Sequence, residues 1–159
     1  MSTMNVLICQ QPKELVWKQR EIPIPGDNEA LIKIKSVGIC GTDIHAWGGN
    51  QPFFSYPRVL GHEICGEIVG LGKNIADLKN GQQVAVIPYV ACQQCPACTS
   101  GRTNCCEKIS VIGVHQDGGF SEYLSVPVAN ILPADGIDPQ AAALIEPFAI
   151  SARSEEHTS

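Results

Sequence analysis

Positive charge is scarce in this chain of 159 residues, which holds 11 Lys and Arg against 16 Asp and Glu and so carries a formal net charge of −5. Nucleic acids and anionic membranes are bound through basic patches, so this balance argues against both as partners. The longest apolar runs, such as residues 83–88, fall far short of the ~20 residues of a membrane span. No basic segment followed by an apolar stretch opens the chain, so we expect no secretory signal and a cytoplasmic protein.

Helical patterns are also few, and 15 Gly and 11 Pro separate short segments of β type. Four segments favour strands because they alternate or are rich in β-branched residues, namely 30–37, 64–71, 83–87 and 120–126. Pro139–Ala143 favours a helix, since Asp138 can cap it and proline fits its first position. The sequence therefore predicts a mainly β fold with short helices, arranged as a small, partly open barrel.

The last seven residues, 153–159, share no pattern with the rest of the chain. Arg-Ser-Glu-Glu-His-Thr-Ser is the translation of a common sequencing-adapter sequence, so we interpret it as a non-native, disordered addition. A native polar terminus is the alternative. We assign one domain to residues 1–152, a length typical of a single domain, and we assign no site role to His157.

Eight cysteines would suit a small secreted disulfide scaffold, but five of them fall within residues 92–106, a clustering that indicates metal binding. Their spacing is C-x2-C-x2-C-x7-C, formed by Cys92, Cys95, Cys98 and Cys106. A structural zinc takes four such ligands at tetrahedral corners, so we predict a zinc lobe over about residues 90–107. On spacing alone, Cys105 is an alternative fourth ligand. A set of unrelated core cysteines is the competing interpretation.

Two further segments carry metal-ligating residues, Gly38–His45 (GICGTDIH) and Gly61–Gly66 (GHEICG). A catalytic zinc needs about three protein ligands and one open position. Cys40 and His62 are suitable donors, and Glu63 is a neighbouring carboxylate. The sequence therefore predicts a second, catalytic zinc site, while Cys65 is interpreted as a core residue.

Polar residues beside these donors suggest how the site would work. Asp43 is suited to accept the ring N–H of a ligating histidine and so to fix its tautomer. Thr42 and His45 supply a hydroxyl and an imidazole that could carry a proton away from an alcohol. Each of these residues is a weak signal alone, and their combination carries the interpretation.

The pattern Gly61-His62-Glu63-x2-Gly66-x5-Gly72-x2-Ile75 resembles the zinc signature of the medium-chain alcohol dehydrogenases. The GICGTDIH stretch and the four-cysteine lobe match that family in the same order, over residues 4 to about 152. The resemblance implies a GroES-like barrel beside a Rossmann domain and catalytic-zinc ligands at Cys40 and His62, with Glu63 a ligand or near-ligand. It also implies structural-zinc ligands at Cys92, Cys95, Cys98 and Cys106, because the family's last spacer is seven residues.

The segment Leu144-Ile145-Glu146-Pro147-Phe148 resembles the sorbitol, threonine and sugar-acid dehydrogenase branch. In that branch the glutamate lies beside the zinc and contacts its water or the metal, which implies a catalytic role for Glu146. The expected activity is oxidation of a secondary hydroxyl of a polyol or sugar acid by NAD(P), in a protein that is a homo-oligomer when whole. Trp47, Phe53 and His115 are candidate pocket residues, although Trp47 and Phe53 are equally consistent with a core role.

A dinucleotide-binding fingerprint is missing from the sequence. Gly70-Leu71-Gly72 matches Gly-x-Gly-x-x-Gly only in part and lies inside the zinc signature. We therefore expect no Rossmann domain and no cofactor-binding residue in this chain, which would be a catalytic-domain fragment, inactive alone. The alternatives are a stand-alone zinc-binding GroES-like module without catalysis and a zinc-free quinone reductase. The second donor set argues against the module, and Cys40 with the cysteine lobe argues against the reductase.

Overall fold

The structure, a computed structural model, describes residues 2–52 and 54–156. Ten strands occur in these ranges: β1 Thr3–Gln11, β2 Glu14–Glu21, β3 Glu29–Gly38, β4 Arg58–Val59, β5 Glu63–Leu71, β6 Gln83–Val86, β7 Tyr89–Val90, β8 Ser110–Val111, β9 Tyr123–Pro127 and β10 Ile131–Pro133. The α-helices in the same ranges are α1 Gly41–Gly48, α2 Pro96–Thr99, α3 Pro139–Ala143 and α4 Ile145–Glu156, with 3₁₀ turns at Thr103–Cys105 and Val128–Asn130.

The named strands form three antiparallel sheets, in the orders β10-β6-β5-β3-β9, β2-β1-β4 and β7-β8. The Leu7 N–H donates to the Phe120 carbonyl at 2.8 Å, and the Glu122 N–H donates to the Asn5 carbonyl at 3.2 Å. These bonds join β1 to the segment that leads into β9. The two larger sheets are therefore joined through this segment, and the predicted mainly β fold with a partly open barrel is confirmed.

The barrel interior is filled by aliphatic side chains from alternate strand positions. On β3, Ala30 and Ile32 are fully buried while Lys33 faces solvent, which is the period-2 pattern of a strand with one buried face. The main cluster consists of Ala30, Ile32, Ile64, Ile68, Val84, Val86, Ile112, Val126 and Ile131. This packed core fixes the ends of β3 and β5, where the candidate metal ligands lie.

Most sequence-predicted elements are present, with bounds shifted by a few residues. The strands expected at residues 30–37, 64–71, 83–87 and 120–126 correspond to β3, β5, β6 and β9. The helix at Pro139–Ala143 begins as predicted, because the Asp138 carboxylate accepts from the N–H groups of Gln140 at 2.9 Å and Ala141 at 3.2 Å. The β1–β2 hairpin and the helices α1 and α4 were not predicted.

The expectation of disorder from Arg153 onward is wrong for residues 153–156, because α4 continues to Glu156. Adding a residue to an existing helix fixes few new torsions, and Ala, Arg and Glu are good helix formers, so a helix begun at Ile145 extends readily. His157 lies outside the described residues, and the non-native origin of 153–159 stays a prediction. Within the described residues, no helix has the length and apolar character needed to cross a membrane.

We expect deletion of residues 153–159 to lower the melting temperature by less than ~2 °C. Residues 151–155 are exposed, and although Arg153 and Glu155 interact with other groups, exposed polar contacts contribute only ~0–1 kcal/mol. Differential scanning calorimetry would measure the change. As a control, Ile145→Ala removes a side chain that packs against buried Cys65 and Ala142 and should destabilise the chain clearly. A large loss from the deletion would show that the terminal turn packs on the barrel.

Two candidate metal centres

The four predicted lobe cysteines come together between β7 and β8. Their sulfurs all lie within 4.8 Å of one another. Cys95, at the start of α2, Cys98, within α2, and Cys106, after the 3₁₀ turn, are buried, and Cys92 is half-buried. Cys105 is exposed and does not belong to the group. The fold therefore assembles the set that the family spacing implies.

The sulfur separations fit a tetrahedral ion. Four sulfurs held ~2.3 Å from one zinc lie about 3.8 Å apart. The Cys95 and Cys98 sulfurs are 3.5 Å apart, and those of Cys92 and Cys98 are 3.9 Å apart. All four are free thiols rather than disulfides. The geometry of the lobe is thus suited to a structural zinc.

Backbone N–H groups directed at the sulfurs prepare the lobe for negative charge. Hydrogen bonds from the backbone of Cys98 and Glu107 lower the pKa of Cys95 to about 6, and those from Gln94 and Cys95 lower the pKa of Cys92. Burial instead raises the pKa of Cys98 to about 12. Without a cation, the cluster therefore keeps a proton, whereas a divalent ion would deprotonate every thiol that coordinates it.

A second donor set forms where β3 and β5 end and begin. Cys40 follows β3, and His62 and Glu63 stand at the start of β5. Their ligand atoms lie within 4.8 Å of one another. His62 and Glu63 are each only 7% exposed, and Cys40 is half-buried. Three donors leave a position free on a four-coordinate ion, which distinguishes this set from the closed lobe.

Asp43 connects the two segments that carry these donors. Its Oδ2 accepts the Cys40 N–H at 2.9 Å and its Oδ1 accepts the Gly61 N–H at 3.0 Å, while the residue is only 4% exposed. Gly61 has φ +89°, a conformation that favours glycine and that leads directly into His62. The Asp43 carboxylate therefore fixes the spacing of Cys40 and His62 through the backbone.

The ring of His62 lacks a partner that a metal centre would complete. Its Nδ1 is buried with no hydrogen-bond partner among the described residues, and it lies 3.8 Å from Asp43 Oδ1, too far for a hydrogen bond. A buried nitrogen without a hydrogen bond lowers the stability of the folded state by ~1–3 kcal/mol. Both ring nitrogens would have a partner if one bound a metal and the other donated to Asp43. The predicted bond between the His62 ring and Asp43 stays a prediction.

The Glu63 carboxylate lies over the backbone of Gly38, its partner residue in the β3–β5 ladder. A Cβ built at Gly38 would overlap Glu63 Oε2 and would lie 3.0 Å from both Cβ and Cδ of Glu63. Only the absence of a side chain at Gly38 therefore allows the carboxylate to turn toward Cys40 and His62. The position of the Glu63 carboxylate therefore depends on glycine at position 38.

Glu146 lies in the first turn of α4 and is 9% exposed, but it does not belong to the 4.8 Å donor group of Cys40, His62 and Glu63. Its Oε1 accepts the Tyr89 hydroxyl at 2.6 Å. Burial, followed by this bond and the Glu146 charge, raises the pKa of Tyr89, and the Cys40 charge adds to the effect. Tyr89 was not predicted as a site residue, since a single tyrosine between Pro88 and Val90 gives no pattern.

The remaining predicted residues lie around α1 and the loop after β8. Thr42 is half-buried and His45 exposed, three positions apart on one side of α1, with no hydrogen bond between their side chains. Trp47 borders an apolar recess with Ile39, Ile44 and Phe120 among its other walls. His115 is exposed, and its Nδ1 accepts the Val111 N–H at 3.0 Å. Phe53 lies outside the described residues.

Comparison with known proteins identifies the class. Residues 26–136 match the family model described as the alcohol dehydrogenase GroES-like domain. The chain therefore belongs to the family of alcohol dehydrogenase GroES-like domains, as the resemblance implied.

Particular relatives narrow the comparison. Over 154 residues the chain is 98% identical to L-galactonate-5-dehydrogenase of Escherichia coli (strain K12), covering 97% of this chain and 45% of that protein. L-threonine 3-dehydrogenase of Chelativorans sp. (strain BNC1) is 35% identical over 151 residues, which cover 91% of this chain and 44% of that protein. A crystal structure of a short chain alcohol dehydrogenase from E. coli CFT073, complexed with NADH, matches with a TM-score of 0.91 and 40% sequence identity. The match covers 99% of this chain and 46% of that one. The chain thus spans under half the length of the curated relatives it matches.

Cys105 and Cys106 offer a matched test of the lobe. Cys106→Ser should remove about one equivalent of bound zinc and lower the melting temperature strongly, because structural zinc supplies ~10–16 kcal/mol of apparent binding energy. Cys105→Ser should retain the metal, since its side chain is exposed. Zinc content by mass spectrometry and thermal melts would measure both effects. The reverse pattern would assign the fourth ligand to Cys105.

Gly38→Ala should displace the Glu63 carboxylate and weaken metal binding at the open donor set ~10–100-fold, the range found when groups that orient ligands are altered. The four-cysteine lobe should keep its zinc, because it lies elsewhere in the fold. Gly41→Ala is the control, since a Cβ there meets nothing within 4 Å. Competition with a chromophoric chelator would measure both affinities. Equal affinities in the two variants would contradict the role given to Gly38.

Proposed function

We propose that this chain is the metal-binding catalytic domain of a zinc-dependent, NAD(P)-linked dehydrogenase that oxidises a secondary hydroxyl of a polyol or sugar acid. The observation that carries the proposal is the pairing of a closed set of four thiols with a buried, open set of one thiol, one imidazole and one carboxylate. Similarity to L-galactonate-5-dehydrogenase supports a sugar acid as the substrate class.

Cys92, Cys95, Cys98 and Cys106 would hold a structural zinc, and Cys40, His62 and Glu63 would hold a catalytic one. The catalytic ion would supply Lewis acidity toward the substrate hydroxyl. The protein's part is to keep three donors in place and one position free. Asp43 does so for Cys40 and His62 through two backbone hydrogen bonds, and Gly38 does so for Glu63.

The hydroxyl proton has two candidate acceptors in this chain. Thr42 and His45 share one side of α1 without a direct hydrogen bond, so a threonine hydroxyl that accepts the proton while giving up its own would pass it through water to the exposed imidazole of His45. Glu146 is the alternative acceptor, because its carboxylate is buried and accepts the hydroxyl of Tyr89, a phenol on which the Cys40 charge also acts. Trp47 and His115 are candidate contacts for the rest of the substrate.

The hydride would pass to a nicotinamide, the group that carries this chemistry in dehydrogenases. We assign no residue of this chain to that cofactor, because the glycine fingerprint is missing from its sequence. A similar protein of known structure holds NADH, and this chain covers 46% of it. The proposed cofactor site therefore belongs to the remaining part of the whole protein, which we infer to be a homo-oligomer.

The test combines metal content with activity. Purified chain should bind about two equivalents of zinc, one for each donor set. Formation of NADH from L-galactonate should be seen when the chain is extended with the remaining coding sequence, and not with the chain alone. The reason is that the loss of cofactor positioning removes up to ~7–11 kcal/mol of catalysis.

Two results would count against this function. An extended protein that binds two zinc ions yet oxidises neither polyols nor sugar acids would disprove the substrate class. A single zinc equivalent in the fully loaded chain would disprove the open site. The variant Cys40→Ser provides the control, since it should lose one equivalent and all activity while keeping the lobe.

A further inference from the structure

β2 is an edge strand with one partner. In the sheet of order β2-β1-β4 it pairs with β1 alone, so among the described residues one of its long sides is open. Native proteins usually keep such edges short or bulged, because unpaired N–H and C=O groups are a template for pairing with another chain. β2 is eight residues long and pairs without a register shift from Leu15 to Glu21. Its open edge is therefore a candidate interface.

The direction of the backbone groups on β2 follows from β1. Asn5 and Leu7 use their C=O and N–H groups to bond the segment that leads into β9, so these groups point away from β2. In an antiparallel ladder, two opposed residues either bond each other or both point away from each other. Trp17 stands opposite Leu7, and Gln19 stands opposite Asn5. The N–H and C=O groups of Trp17 and Gln19 therefore lie on the open edge, and the alternation along the strand adds those of Leu15.

The same edge carries apolar side chains that are in contact with water. Trp17 is 71% exposed and Leu15 is 44% exposed. Both lie on the outer face of the sheet, because Val16 between them packs against the buried cluster that includes Met4 and Val6. Tryptophan is enriched at protein interfaces, where its burial contributes strongly to association. The open edge thus offers apolar contacts as well as hydrogen bonds.

The charges along β2 are ordered so that the strand is complementary to itself. Two antiparallel copies of the strand can meet with Trp17 opposite the partner's Trp17. Lys13 then stands opposite the partner's Glu21. Glu14 likewise stands opposite the partner's Arg20. A two-fold axis repeats both pairs, so opposite charges face each other on each side of the central tryptophans.

The neighbouring registers lose this complementarity. Residues that point outward must oppose residues that point outward, so the nearest alternatives to a centre at Trp17 are centres at Val16 and Lys18. The Lys18-centred register opposes two lysines and brings no opposite charges together, and like charges in that position are destabilising. The Val16-centred register keeps only the pairing of Glu14 with the partner's Lys18. The charge order therefore selects the register centred on Trp17.

The charged side chains are available for these contacts. Within the part of the chain that the structure describes, Lys13, Glu14 and Glu21 form no ion pair. Arg20 bonds to Asp117 at 2.6 Å through Nη1. A guanidinium has five N–H donors, so Arg20 keeps donors for a second carboxylate.

We infer that the open edge of β2 is an interface between two copies of this chain, joined into one continuous antiparallel sheet across a two-fold axis at Trp17. The N–H and C=O groups of Leu15, Trp17 and Gln19 complete the ladder between the copies. The inference rests on the proposed function in one respect, because a homo-oligomer was inferred there, and it assigns a surface to that oligomer. The two metal centres take no part in the interface.

Sedimentation velocity of the zinc-loaded chain, under reducing conditions and at low ionic strength, tests this interface. With rising concentration the chain should convert from monomer to dimer with a dissociation constant of roughly 1–100 µM, since one strand pair is at the small end of specific interfaces. Gln19→Pro removes an N–H from the open edge and leaves the bonds between β1 and β2 in place. It should weaken dimerisation at least ~10-fold while the variant stays folded.

Charge reversals provide a test that a general loss of stability cannot imitate. Lys13→Glu and Glu21→Lys each oppose like charges across the axis, so each should weaken self-association about 10-fold. An equimolar mixture of the two variants should form dimers again, because each then meets the opposite charge. Lys79→Glu reverses an exposed lysine outside β2 and should dimerise like the unmodified chain. These arms stand even where Gln19→Pro fails to fold.

Several results would overturn the inference. A chain that stays monomeric throughout the concentration series would leave this edge to the rest of the whole protein. Dimers that Gln19→Pro does not weaken, single reversals that associate as strongly as Lys79→Glu, or a mixture that fails to associate would each exclude this strand pairing. Zinc content and NADH formation are measured separately, so failure of the interface is distinguishable from failure of the proposed function.

Discussion

A buried carboxylate, Asp43, determines how the two signature segments meet. It accepts hydrogen bonds from the backbone N–H groups of Cys40 and Gly61, which are 21 residues apart in the sequence. The carboxylate is also shielded from water. Hydrogen bonds between a charged group and the backbone are worth ~1.5–3 kcal/mol each, and loss of the acceptor leaves two donors unsatisfied. The distance between the thiol and the imidazole thus depends on one side chain, which itself need not touch a metal.

The two donor sets differ in how their charge is balanced, and this difference fits different tasks. In the lobe, backbone N–H groups point at sulfurs and favour thiolates, so an ion bound there is surrounded by four thiolates and closed to other ligands. At the second set, one thiol, one imidazole and one carboxylate would surround an ion incompletely. A centre of lower ligand charge is the stronger Lewis acid. The proposed function would therefore place stability and reactivity at separate positions in one small barrel.

The sequence was most informative where chemistry requires several residues at fixed short spacing. The cysteine spacing, the Gly-His-Glu segment and the alternation of β3 each predicted structure correctly, because each is local or repeats along the chain. Residues whose role depends on distant partners were not predicted. Tyr89 enters the site only through its hydrogen bond to Glu146, 57 positions later, and the hydrogen bond from Gly61 to the predicted residue Asp43 has no signal in the sequence. The extension of α4 beyond Arg153 was missed because the helix begins on a packed turn that composition does not show.

The position of Glu146 follows from the uneven packing of α4 against the barrel. The first turn contacts the barrel, whereas the apolar side chains of Phe148 and Ile150 are more than half exposed. The well-packed contact of α4 lies close to its first residue, where Ile145 packs against the cluster of Cys65 and Ala142. A carboxylate placed in that turn therefore gains a fixed position from the two elements that are themselves well packed, the cluster under Ile145 and the strand that carries Tyr89.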